Sequence, residues 1–184
     1  MFIALIGYRG SGKTAVAQLV ALRLGWDWVD ADVEIELRAG KSIAAIFADE
    51  GEETFRDLET TVLEELLQRD KAVLALGGGV VLRVENRRRL KNAVDARGGR
   101  IVWLKASYGT LWARIQADKT TAVRRPNLTG FAGVEEVQRL LGEREPLYDE
   151  CADISISTEG KIADQVAEEI ATWAKKQSSG NSRS

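Results

Sequence analysis

The 184-residue chain contains no histidine and a single cysteine, Cys151. The missing histidine removes the commonest general acid–base group and the commonest metal ligand. With only one cysteine besides, a zinc site has no set of ligands to draw on. Acid–base chemistry therefore falls to Asp, Glu, Lys or Tyr, and metal binding to carboxylates, hydroxyls and phosphates. A lone cysteine builds no disulfide framework, which agrees with a reducing cytoplasm, and Cys151 reads as a small apolar filler. No apolar run approaches the roughly 18 residues of a membrane span, and no basic leader precedes the first one. A net charge of −2 argues against a nucleic-acid footprint, so any anion site must be a local cluster of basic residues. What remains, 45% hydrophobic and 29% charged, is the composition of a one-domain soluble protein.

The most informative segment comes first. The apolar run Phe2-Ile3-Ala4-Leu5-Ile6 feeds into Gly7-Tyr8-Arg9-Gly10-Ser11-Gly12-Lys13-Thr14, an octet of the pattern G-x-x-x-x-G-K-[ST]. It sits where that pattern must sit, between a strand and a helix with apolar residues at Val16, Leu19, Val20 and Leu24. Its glycines let backbone N–H groups curl around the phosphates of a nucleotide, and the helix N-terminus points at the anion. Lys13 is expected to reach the β- and γ-phosphates and the Thr14 hydroxyl to ligate Mg²⁺.

Strand and helix alternate along the rest of the chain. Strands are expected at 2–7, 28–30, 72–76, 101–104 and 154–157. Helices are expected at 13–24, 33–39, 43–48, 54–69, 86–96, 109–117, 135–148 and 161–174. Short, nearly all-apolar strands between helices imply an α/β fold, a parallel sheet covered on both faces. Residues 1–176 read as a single domain, and the Ser/Gly/Asn-rich tail 177–184 as disordered.

Ligands of such sheets gather at the carboxyl ends of the strands. The second strand ends in Asp30-Ala31-Asp32, whose two carboxylates, at i and i+2 on an extended chain, are expected to face one pocket. One can serve Mg²⁺ through water, and the other can accept a proton from a substrate hydroxyl. The third strand ends in Gly77-Gly78-Gly79, which suggests a ligand pressed against backbone. That strand lacks the Mg²⁺-serving aspartate of motor ATPases and GTPases, and no Asn-Lys-x-Asp motif occurs. A small-molecule or nucleotide kinase using ATP is the natural class. Arg87, Arg88 and Arg89 read as solvated surface charges, or at most as a weak long-range field.

With these motifs in hand, the chain resembles the shikimate kinases. Gly7–Thr14 is similar to their phosphate loop, Asp30-Ala31-Asp32 to their Asp-x-Asp, and Leu76-Gly77-Gly78-Gly79 to their glycine turn. Ser42–Phe47 and Gly51–Glu59 resemble their substrate-binding segment, Arg125-Pro126 the lid motif, and Arg144-Glu145-Pro146-Leu147-Tyr148 the motif closing the next helix. The resemblance implies a three-layer α/β/α fold like that of nucleoside monophosphate kinases, with five parallel strands in the order 2-3-1-4-5. It also implies transfer of the γ-phosphoryl of ATP to the 3-hydroxyl of shikimate, with Mg²⁺, in a cytoplasmic monomer that engages neither nucleic acid nor membrane.

Carried over residue by residue, the resemblance assigns Lys13, Asp32 and Arg125 to catalysis, with Asp32 as the base. ATP would contact Gly10, Ser11, Gly12, Lys13, Thr14, Arg114 and Arg125. Thr14 and, through water, Asp30 would serve the metal. Shikimate would contact Asp32, Arg56, Gly77, Gly78, Gly79 and Arg144, with the two arginines on its carboxylate. Planar, bidentate guanidinium donors suit a carboxylate better than lysine does. Glu59 would orient Arg56, and Phe47 and Phe55 would wall the ring. The segment of about 118–133 would be the lid, with Arg124 the other candidate for its arginine, and the adenine loop would lie near 158–161. The rival readings are another small-metabolite kinase, such as a gluconate kinase, and a non-catalytic nucleotide-binding regulator.

Overall fold

A computed structural model of the chain describes residues 1–118 and 133–180. Its five strands are β1 (Phe2–Ile6), β2 (Asp27–Asp30), β3 (Ala72–Ala75), β4 (Arg100–Lys105) and β5 (Ile154–Ser157). The helices are α1 (Lys13–Leu24), α2 (Ala31–Ala39), α3 (Ile43–Leu66), α4 (Val84–Arg97), α5 (Tyr108–Ala117), α6 (Val134–Cys151) and α7 (Ala163–Gly180). The strands form one sheet in the order β2-β3-β1-β4-β5, and every pairing is parallel. This is the topology that the family resemblance implied.

β1 lies at the centre and all five of its residues are buried. Alternation splits them: Phe2, Ala4 and Ile6 join a core with α2, α3, α4 and the end of α6, while Ile3 and Leu5 join one with α1 and α7. Two apolar cores on opposite faces make the three layers. Each large aliphatic or aromatic side chain so buried contributes roughly 1.5–3 kcal/mol, which fixes the sheet that carries the loops.

The helix ends follow from capping chemistry. α1 ends at Gly25, whose φ of 65° is left-handed and whose N–H donates to the Ala21 carbonyl. Ser42 caps α3 by accepting from the Ala45 N–H at 3.2 Å. α3 corrects the expected pair of helices: 43–48 and 54–69 become one element ending at Leu66, with a break at Gly51 (φ 85°, ψ 174°) instead of a loop. A glycine alone takes that conformation without strain, so the axis bends where two helical stretches meet. α7 runs through Gly180, into the tail expected to be disordered from 177. Among the described residues no helix is long and apolar enough to cross a membrane.

Candidate active site

The phosphate loop joins β1 to α1. Gly7 has a φ of 140° and sits against β4, where a Cβ would come within 2.6 Å of the Leu104 carbonyl oxygen. No other residue fits there. The Lys13 ammonium donates to the carbonyls of Gly7 (2.8 Å) and Tyr8 (3.0 Å) and, at 3.4 Å, to the Ser11 hydroxyl, so it spans the loop it belongs to. The Thr14 hydroxyl donates to Asp30 Oδ2 at 2.6 Å.

The paired aspartates need a correction. β2 ends at Asp30, which caps α2 by accepting from the Asp32 N–H at Oδ1 (2.9 Å), so Asp32 lies in the first helical turn rather than on an extended strand. Both still reach one cleft, by helix capping rather than by strand alternation. That cleft, of about 490 Å³, falls within the usual range of small-ligand sites. Gly10, Gly12, Lys13, Thr14, Asp30, Asp32, Gly78 and Arg114 line it, together with Arg9 and Asp118.

Ser11, Arg56, Gly77, Gly79 and Arg144 do not line this cleft. Arg56 and Arg144 are buried beside it and meet at the glycine turn that follows β3. Arg56 donates from Nη1 to Glu59 (2.7 Å), and from Nε (3.2 Å) and Nη2 (3.0 Å) to one oxygen of Glu52. These bonds use three of its five N–H groups, leaving one on each terminal nitrogen. Phe55 packs under the guanidinium at 5.1 Å and against Phe47 with ring centroids 4.7 Å apart. Arg144 donates to the Gly78 carbonyl at 3.5 Å and stands 5.4 Å over the Tyr8 ring. Its buried Nε has no hydrogen-bond partner among the described residues, a donor that burial leaves available.

Arg114 reaches across from α5. It donates to the Thr158 hydroxyl and carbonyl, both at 2.8 Å, and to the Gly10 carbonyl at 3.5 Å, tying the phosphate loop to the turn after β5. Beside it the Thr110 hydroxyl, then the Ser107 N–H, hold the Glu159 carboxyl below its ordinary range. The expected lid, with Arg124, Arg125 and Pro126, lies outside the described residues.

Three features escaped the sequence reading. Arg9 occupies a variable position of the loop pattern, so nothing in the motif marks it as cleft wall. Glu52 sits four residues before Arg56, a helix-pair spacing that was there to be read. Arg87 is no solvated charge: it pairs with Glu150 at 3.0 Å and donates to the Val81 carbonyl at 2.8 Å, bracing the exit of the glycine turn.

Donors at the phosphate loop, a carboxylate pair at the cleft and guanidinium groups behind an adjoining glycine turn define a phosphate-loop kinase of a small-molecule acceptor. A protein-family model described as shikimate kinase matches residues 9–175. A shikimate kinase of Rhodopirellula baltica is 46% identical over 166 residues, 90% of this chain and 86% of that protein. One of Symbiobacterium thermophilum is 41% identical over 170 residues, 92% and 94% of the two chains. Among solved structures, the Acinetobacter baumannii shikimate kinase in complex with shikimate matches with a TM-score of 0.85 at 36% identity, over 95% of this chain and 93% of that one. A Sinorhizobium meliloti gluconokinase, at a TM-score of 0.59 and 15% identity over 99% and 96% of the two chains, shares the fold alone. The chain belongs to the shikimate kinase family.

Proposed function

We propose that this kinase transfers the γ-phosphoryl group of ATP to the 3-hydroxyl of shikimate, giving ADP and shikimate 3-phosphate. The observation that carries the reading is the contact of the two half-sites. The glycine turn beside Arg56 and Arg144 lies directly against the phosphate loop, where a Cβ on Gly78 would be 3.3 Å from both Gly7 O and Arg9 N. An acceptor held by the turn is thereby adjacent to a phosphoryl group held by the loop.

In this mechanism Arg56 and Arg144 take the shikimate carboxylate and set the ring. Asp32 accepts the proton of the 3-hydroxyl as its oxygen bonds to the γ-phosphorus and the bond to the β–γ bridging oxygen breaks. Lys13, the loop amides and Arg125 stabilise charge on the transferring group. Phosphoryl transfer asks for positioning and electrostatics more than for covalent chemistry, which suits such a set. The oxygen donors converging at Thr14 and Asp30 fit Mg²⁺, and among the described residues no cluster of three or more carboxylate, thiol or imidazole groups offers a cage of its own. Thr14 and, through water, Asp30 would hold the ion, which when bound supplies charge neutralisation on the phosphates. Arg114 contacts the adenine. The reading carries with it a cytoplasmic monomer, and the net charge of −2 supports its independence from nucleic acid.

An assay coupled to ADP release tests it. Shikimate should raise the rate at least tenfold over ATP alone, and gluconate should not. Equal rates with and without shikimate would sink the proposal.

A further inference from the structure

Tyr148 has no exposed surface, yet its phenol has a specific task. The hydroxyl donates to the Gly78 carbonyl at 2.5 Å, and the ring packs on Trp103 of β4 with centroids 5.7 Å apart. The same carbonyl accepts from Arg144, one helical turn earlier on α6, so two side chains of one helix face converge on a single peptide oxygen. If volume alone were needed, phenylalanine would fill the space without a polar group to satisfy.

That peptide is where the two half-sites touch. Gly78 presses on Gly7 and Arg9 of the phosphate loop, and the next residue, Gly79, presses on the Arg56 guanidinium. Any rotation of the Gly78 peptide therefore changes the offset between the acceptor turn and the loop. We propose that Tyr148 is a positioning residue for phosphoryl transfer, its hydroxyl locking the Gly78 peptide so that acceptor and phosphoryl donor stand in line. The inference rests on the acceptor site proposed above. It concerns the chemical step more than either binding step, because a misaligned acceptor still binds, whereas a displacement of about 1 Å from in-line geometry can cost on the order of a hundredfold in rate. The neighbouring Arg144 bond, at 3.5 Å, is too long to hold the peptide alone.

The test is Tyr148→Phe in the full chain, with turnover at saturating ATP and shikimate measured beside the dissociation constants of both ligands. The expected result is turnover reduced about tenfold or more, with both dissociation constants within about threefold of the parent. 4-Aminophenylalanine at position 148, which restores a donor, should recover most of the loss. Ile170→Val, a truncation in the opposite core, should leave turnover unchanged, separating positioning from general loosening. Parent turnover in Tyr148→Phe overturns the inference, as does a phenylalanine protein that fails to fold or loses affinity for both ligands alike. Absence of shikimate-dependent turnover in the parent protein would instead remove the acceptor reading itself, so the two failures are distinct.

Discussion

Gly79 lies so close to Arg56 that a Cβ at position 79 would stand 2.8 Å from both Cζ and Nη2 of the guanidinium. Glu59 pairs with that guanidinium at 2.7 Å, so a methyl at position 79 would compete with this ion pair for where the guanidinium sits. Gly79→Ala should therefore push Arg56 off its position. A charged hydrogen bond is worth about 1.5–3 kcal/mol, so shikimate should bind roughly ten- to a hundredfold more weakly while ATP affinity stays unchanged, as read by calorimetry. Unaltered shikimate affinity would take Arg56 out of the acceptor site.

Asp32→Asn keeps the shape of the proposed base and removes its power to accept a proton. Turnover should fall by about 10²–10⁴-fold with ATP still bound. A variant that turns over at nearly the parent rate would leave Asp32 with a binding role only.

Asp30 performs two tasks with its two oxygens, one for the Asp32 N–H and one for the Thr14 hydroxyl. Asparagine can still cap α2, so Asp30→Asn should melt within a few degrees of the parent. It loses the charge, and the Mg²⁺ concentration for half-maximal activity should rise several-fold. An unchanged Mg²⁺ titration would refute the assignment.

Arg125→Ala should lower the rate of transfer by about 10²-fold, as removal of a charge-stabilising donor does elsewhere, with shikimate binding alone little changed. Arg124→Ala, made in parallel, should have a small effect. The reverse pattern would hand the role to Arg124.

Burial pushes the Cys151 thiol up to about 11, from an ordinary 9.0. Native protein at pH 8 should accordingly resist a disulfide-exchange reagent for hours and react promptly in denaturant. Because the unfolded chain gives up this proton first, Cys151 draws stability out of the fold as pH rises from 9.0 towards about 11. Cys151→Ala should flatten that part of the denaturation profile; an identical slope in both proteins would contradict the assignment.

Much of this was legible in local sequence. The phosphate loop and the bounds of α1, Lys13–Leu24, follow from a motif whose context is contiguous. The Asp30–Asp32 pair was found for a reason the structure replaces: strand alternation predicts a shared face, but Asp30 turns the chain into a helix. The bend at Gly51 was hidden because helical periodicity on either side says nothing about how two helices join. Strand order came only with the family resemblance, since crossovers leave no mark on local pattern. Tyr148 carried no visible role because its partner is a backbone oxygen 70 residues away.

The central position of β1 divides the labour of the protein in space. On the β2–β3 side lie the acid pair, the glycine turn and Arg56; on the β4–β5 side lie Arg114 and Thr158. Acceptor choice and nucleotide grip can therefore drift independently, with the phosphate loop as the fixed seam between them. Arg144 and Tyr148 cross it, reaching from α6, which lies between α5 and β5, to the carbonyl of Gly78. An attempt to retarget this scaffold to a new acceptor by exchanging residues 27–83 would have to carry that one turn of α6 along with it.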